Sequence, residues 1–179
     1  GDAPRRGDHR ALTNPKSRYL NSKSNFQGGT RVWVSDLASG CSLKILLIRL
    51  RLIGDVVFTT PMPRAIKRQW PDASLSYLVE EAAAPVLATN SFIDELIVVR
   101  RARGMRRLLD DVKLAARLRR ARYDVALDLH GGPRSSWLTL ATGAPQRIGY
   151  EVQGRSWMYT TVVSRPRALR ARHSVVNQW

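Results

Sequence analysis

Residues 44–60, Lys-Ile-Leu-Leu-Ile-Arg-Leu-Arg-Leu-Ile-Gly-Asp-Val-Val-Phe-Thr-Thr, limit the fold more than any other stretch. Lys44 to Arg49 is an apolar run without alternation, the pattern of a strand covered on both faces in a parallel sheet flanked by helices. The loop that follows brings Gly54 and Asp55 to the C-terminal edge of that strand, where a helix begins. Gly54 permits a tight approach or a positive φ. Asp55 is short enough to cap the helix, and its charge suits the helix N-terminus. Two roles stay open for Asp55, a cap or a carboxylate that acts on a ligand.

The rest of the chain repeats this unit. Val56 to Trp70 predicts a helix, bent or delayed near Thr60 because Pro61 and Pro63 remove donors, and stopped before Pro71. Ala73 to Glu80 reads as a second strand, Glu81 to Ala88 as a short helix, and Leu96 to Val99 as a third strand. Between Arg106 and Arg120 a helix is marked by Leu108, Val112, Ala115 and Arg119 at steps of three and four, flanked by Leu109, Ala116 and Leu118. Arg107, Lys113, Arg117 and Arg120 fall opposite. Tyr123 to Leu129 is a fourth strand, Arg134 to Ala141 a helix, and Arg147 to Tyr150 a short fifth strand. Residues 151–172 have no clear period, and Trp157, Met158 and Tyr159 are expected to pack onto the domain. Successive strand–helix units imply a Rossmann-like parallel α/β sheet with helices on both faces and right-handed crossovers.

In such sheets ligands sit beyond the C-terminal ends of the strands. Gly54 and Asp55 arrive there, with Glu80 and Glu81, Arg100 and Arg101, His130, Gly131 and Gly132, then Gly149 and Tyr150. A carboxylate at a helix start can take the proton of a hydroxyl as that hydroxyl attacks. His130 can bind a substrate oxygen, or it caps and packs. Arg134 and Arg147 can clamp an acidic substrate through paired hydrogen bonds, or they are solvated charges. Leu50 to Asp55 lacks the glycines of a dinucleotide fingerprint, and no histidine has a partner at metal-ligand spacing.

Charge narrows the partners. Thirty Lys and Arg against fourteen Asp and Glu give a formal charge of +16, a field that attracts phosphate, nucleic acid, anionic lipid or acidic glycan. Arg100 to Arg122 holds ten of the basic residues and two acidic ones. A non-enzymatic basic module for nucleic acid or an anionic membrane surface is therefore the competing class. The patch lacks aromatic interleaving, which disfavours stacking on single strands. Residues 1–42 read as a mobile basic extension, in which Arg31 to Ser35 offers a short strand. The folded part starts near Leu43. One cysteine, Cys41, excludes an internal disulfide framework. No run approaches the roughly 18 apolar residues of a membrane span, and no signal-peptide pattern precedes the domain.

Several of these pieces, in this order, resemble the N-terminal half of glycosyltransferase family 9, the lipopolysaccharide heptosyltransferases. They are Lys44 to Arg49, Gly54 to Pro61, Tyr77 to Glu81, Tyr123-Asp124 through Asp128-Leu129-His130-Gly131, and Arg147 to Tyr150. The resemblance covers roughly residues 43–179. It implies a GT-B architecture, in which an N-terminal domain holds the acceptor and a C-terminal domain holds a nucleotide-sugar, usually ADP-heptose. It implies metal-independent, cofactor-free transfer with inversion to the acidic inner core on lipid A, at the cytoplasmic face of the inner membrane. Asp55 matches the family's general base. Gly54, His130, Gly131, Arg134 and Arg147 are the acceptor-side matches, although family members more often carry Gln where this chain has His130. The domain is then expected over 43–172, with 173–179 starting the interdomain segment of a longer protein. These residues alone are expected to be inactive without the donor domain.

Overall fold

The computed structural model describes residues 42–100 and 104–164. Residues 1–41 of the extension expected over 1–42, the strand expected at Arg31 to Ser35, Arg101, residues 165–172 of the expected domain and the interdomain segment at 173–179 lie outside the described residues. Six strands form one parallel sheet: β1 (Lys44–Ile48), β2 (Ser74–Glu80), β3 (Glu95–Val99), β4 (Val125–Asp128), β5 (Gln146–Tyr150) and β6 (Thr161–Val163). Their spatial order is β3-β2-β1-β4-β5-β6, the doubly wound arrangement in which the chain reverses direction of growth between β1 and β4. Ile48 at the end of β1 lies in register with Asp128 at the end of β4.

Why β1 shows no alternation is now plain. Ile45 and Leu47 join one buried cluster with Val56, Leu75 and Tyr77, under the helices α1 (Ile53–Thr59) and α2 (Pro61–Gln69). Leu46 and Ile48 join the other, with Leu78, Leu118, Ala126 and Leu138, under α4 (Gly104–Ala121) and α5 (Pro133–Ala141). The expected bend near Thr60 is a break into two helices, with Pro61 at the first position of α2, where its missing N–H is harmless. A 3-10 turn at Glu81–Ala83 runs into the four-residue α3 (Ala84–Leu87).

Two expectations need correcting. The stretch after Tyr150 is not irregular throughout: β6 extends the sheet beyond β5, and Tyr159 is buried while Trp157 stays exposed. The α4 helix is present, but its apolar stripe does not face the core. Leu108 and Val112 are exposed, whereas Asp111 and Leu118 are buried and Leu114 packs on the sheet. No helix among the described residues is long and apolar enough to cross a membrane.

Candidate functional site

At the point of reversal the ends of β1 and β4 are tied together by one buried side chain. Arg49, 6% exposed, follows β1 directly. Its Nη1 donates to the Leu129 carbonyl after β4, and its Nη2 pairs with Asp55 Oδ2 in the first turn of α1. Its Nε has no partner among the described residues. A guanidinium so enclosed needs a counter-charge, because an unpaired buried charge is strongly disfavoured.

Asp55 therefore does not cap α1. The N-cap position is Leu52, without a side-chain cap bond, and Asp55 instead turns back toward Arg49. Its side chain is 22% exposed, and Oδ1 takes no hydrogen bond among the described residues. The positive φ looked for at Gly54 falls on Leu52 instead, at 67°. A bulky residue there carries roughly 1–2 kcal/mol of steric cost. Gly54 itself faces open space, and no close contact there requires glycine.

After β4, Asp128 shapes the next loop. Its Oδ1 accepts the N–H groups of His130 and Gly131, both at 2.9 Å. Gly131 takes a φ of +69°, and a Cβ at Gly132 would meet the His130 ring at 2.6 Å. Glycine at both positions is what lets the imidazole lie over the loop. Burial, with Arg49 and Arg51 nearby, holds the His130 pKa below its ordinary value, although Asp128 and Asp55 pull the other way.

That shift has a sign in stability. The folded value lies below the unfolded one, so the stability tied to neutral His130 is whole above the unfolded pKa of 6.5. It is lost as pH falls through the lowered folded value. His130→Gln is expected to flatten this acid-side slope in urea unfolding below the unfolded pKa of 6.5. An unchanged slope in the variant would assign the titration to another group.

Two hollows open at this edge. A cavity of about 420 Å³ between α1–α2 and the strand ends is lined by Arg49, Thr59, Met62, Arg68, Leu129 and Tyr150. A second, of about 260 Å³, is lined by Arg51, Glu80, Arg107, His130, Gly132 and Arg134. The structure thus gathers Gly54, Asp55, His130, Gly131 and Arg134 at one edge. Arg134 arrives already paired: it bonds Asp111 through Nε at 2.9 Å and through Nη2, and Glu80 through Nη1 at 3.4 Å. Arg147 is not brought there. It sits in the first half of β5, where its Nε and Nη1 donate to the Met158 and Ala144 carbonyls at 3.0 and 2.7 Å. Arg51, in sequence only part of the loop, is exposed at the second cavity as Arg107 is, and unlike Arg107 has no acidic partner among the described residues. In sequence Arg49 is only the last residue of the Lys44 to Arg49 run, and nothing there marks it for this role.

A sequence model described as glycosyltransferase family 9 (heptosyltransferase) matches residues 112–178. Lipopolysaccharide heptosyltransferase 1 of Pseudomonas aeruginosa is 27% identical over 115 residues, covering 61% of this chain and 32% of that protein. Lipopolysaccharide heptosyltransferase 2 of Escherichia coli K12 is 26% identical over 113 residues, 63% of this chain and 32% of its own. Among solved structures, a family 9 glycosyltransferase from Veillonella parvula superposes with a TM-score of 0.62 at 25% identity, over 76% of this chain and 39% of that one. The ADP-heptose heptosyltransferase II of Escherichia coli shares the fold with the same TM-score at 24% identity, again over 76% and 39%. The chain spans about a third of the length of the curated relatives it matches.

Proposed function

We infer that this chain, related to glycosyltransferase family 9 in sequence and fold, supplies the acceptor side of a heptosyltransferase-like enzyme. Residues 43–172 would form the acceptor domain of a GT-B pair. The donor would be ADP-heptose, bound by the facing domain, and the acceptor the acidic, lipid-linked inner core at the cytoplasmic face of the inner membrane. Residues 1–179 alone, on this reading, hold acceptor and base but form no product.

One observation carries the reading: a partly exposed carboxylate, Asp55, pinned by a buried guanidinium where the strand order reverses. Arg49 occupies Oδ2, and the carboxylate keeps 22% of its surface exposed, so Oδ1 is free to meet a hydroxyl. An acceptor hydroxyl there would give its proton to Asp55 as its oxygen bonds the anomeric carbon. The bond from that carbon to the diphosphate breaks on the opposite face, and the diphosphate leaves with the electron pair, so the centre inverts. His130 would hold a neighbouring acceptor oxygen, and the bend at Gly131 would bring the loop backbone to the sugar. Arg51, beside His130, is the cation we assign to an acceptor phosphate or carboxylate. Arg134 would brace this wall through Asp111 and Glu80. Arg147 would act only indirectly, by fixing the start of β5.

The test is titration of the chain with lipid-free, phosphorylated inner-core oligosaccharide, read by amide NMR shifts. Saturable binding is expected, weakened by about tenfold in Arg51→Ala, as for a lost charge-assisted pair. Arg51 is the clean variant because it is exposed, whereas Arg134→Ala would leave Glu80 without its partner and Asp111 with Arg107 alone. No binding, or equal binding of an RNA of matched charge, would return the chain to the class of basic binding modules.

A further inference from the structure

The outward stripe of α4 has no place in the chemistry above. Met105, Leu108, Leu109 and Val112 are 74, 60, 55 and 53% exposed, and their spacing puts them side by side along one face. The opposite face is fastened to the domain by Asp111, Leu114 and Leu118. This is a rigid helix with an apolar outer surface, and contiguous patches of that kind mark interaction sites.

Its flank is basic. Arg106, Lys113 and Arg120 follow around the helix from the stripe, all exposed and none with an acidic partner among the described residues. The helix carries six basic and two acidic residues. An apolar stripe bordered by unpaired cations is the chemistry of a helix lying in the surface of an anionic bilayer, side chains in the acyl boundary and charges at the headgroups. A second copy would bring the same cations against themselves, which argues against a self-contact through this face.

The inner side of the same helix borders the candidate site, where Arg107 pairs with Asp111. Arg107, next in the chain to Leu108, lines the cavity shared by Arg51 and His130. Across that cavity Arg51 is followed by Leu52 and Ile53, themselves 69 and 52% exposed. We propose that the outer face of α4 docks on an anionic lipid surface and thereby keeps the cavity of Arg51 and His130, on the inner side of the same helix, close to the membrane. The purpose of that docking rests on the lipid-linked acceptor proposed above, while the surface rests on the exposed stripe and its cations.

The experiment is co-sedimentation of the whole chain with vesicles of equal parts phosphatidylethanolamine and phosphatidylglycerol, and with phosphatidylcholine alone. Binding is expected on the anionic vesicles. Leu108→Ser with Leu109→Ser is expected to weaken it by at least about fivefold, with the unfolding midpoint only slightly lowered because both side chains are more than half exposed. Lys113→Ser with Arg106→Ser should also weaken it and lower its salt dependence. Parent and variants share residues 1–103, so the basic residues there contribute equally to all. Anionic-vesicle binding that survives the serine pair would overturn the proposal. So would a stripe-dependent dimer in sedimentation equilibrium with vesicle binding untouched. The vesicles contain no glycan and the oligosaccharide titration contains no lipid. Stripe-dependent docking without oligosaccharide binding would leave this surface standing and remove only the acceptor reading.

Discussion

Asp55→Asn is expected to lower sugar transfer by at least about a hundredfold, the low end of what a positioned acid or base contributes. The measurement is turnover of nucleotide-heptose and core acceptor in a form of the protein that carries a donor-binding half. The acceptor KM should stay within about threefold, because asparagine keeps the shape of the side chain and a carbonyl oxygen for Arg49 to bond. What is lost is the capacity to take the proton. Arg49→Lys is the companion variant: it keeps the charge but cannot span Asp55 and the Leu129 carbonyl with one planar fork. Its transfer rate should fall less than that of Asp55→Asn, and its fold should hold. Turnover of Asp55→Asn within a few-fold of the parent would reduce Asp55 to the counter-ion of a structural arginine.

The architecture was legible because its strongest signal is local. A run covered on both faces cannot alternate, so Ile45 to Ile48 announced a parallel sheet, and Pro61 announced the break at Thr60. The phase of α4 was not legible. Its sequence holds one apolar set at Leu108, Leu109 and Val112 and another at Leu114 and Leu118, and periodicity does not say which the sheet will take. The deciding contact is Asp111 with Arg134, twenty-three residues away, which fastens the buried side of the helix to α5. Arg147 shows the same limit: an arginine beside a sheet edge looks free until the carbonyls of Ala144 and Met158 claim it. β6 escaped notice because a three-residue edge strand, Thr-Val-Val, carries too short a pattern to stand apart from a loop.

In sequence Asp128 is one more strand residue, and its replacement by alanine is the stability change with the largest expected effect. The side chain is 2% exposed. Its Oδ1 holds the N–H groups of His130 and Gly131, and its Oδ2 accepts the Tyr159 hydroxyl at 2.6 Å. Burial, then the bond to Asp128, pushes the Tyr159 pKa well up, so the phenol remains a donor. Removing the carboxylate leaves two backbone donors without their acceptor, and bonds to charged groups contribute about 1.5–3 kcal/mol each. Because these bonds share one side chain and do not add, a loss of about 3 kcal/mol is expected in urea unfolding. Asp128→Asn keeps one oxygen for the two N–H groups and should lose about 1 kcal/mol. Tyr159→Phe removes only the hydroxyl, which also bonds Ser136 at 2.7 Å, and should cost about as much while leaving the loop intact. The loop gives the second readout: the His130 and Gly131 amides should lose hydrogen-exchange protection in Asp128→Ala and keep it in Tyr159→Phe. Equal stability of parent and Asp128→Ala, or protected amides in the alanine variant, would mean that the loop carrying His130 is held by something other than this carboxylate.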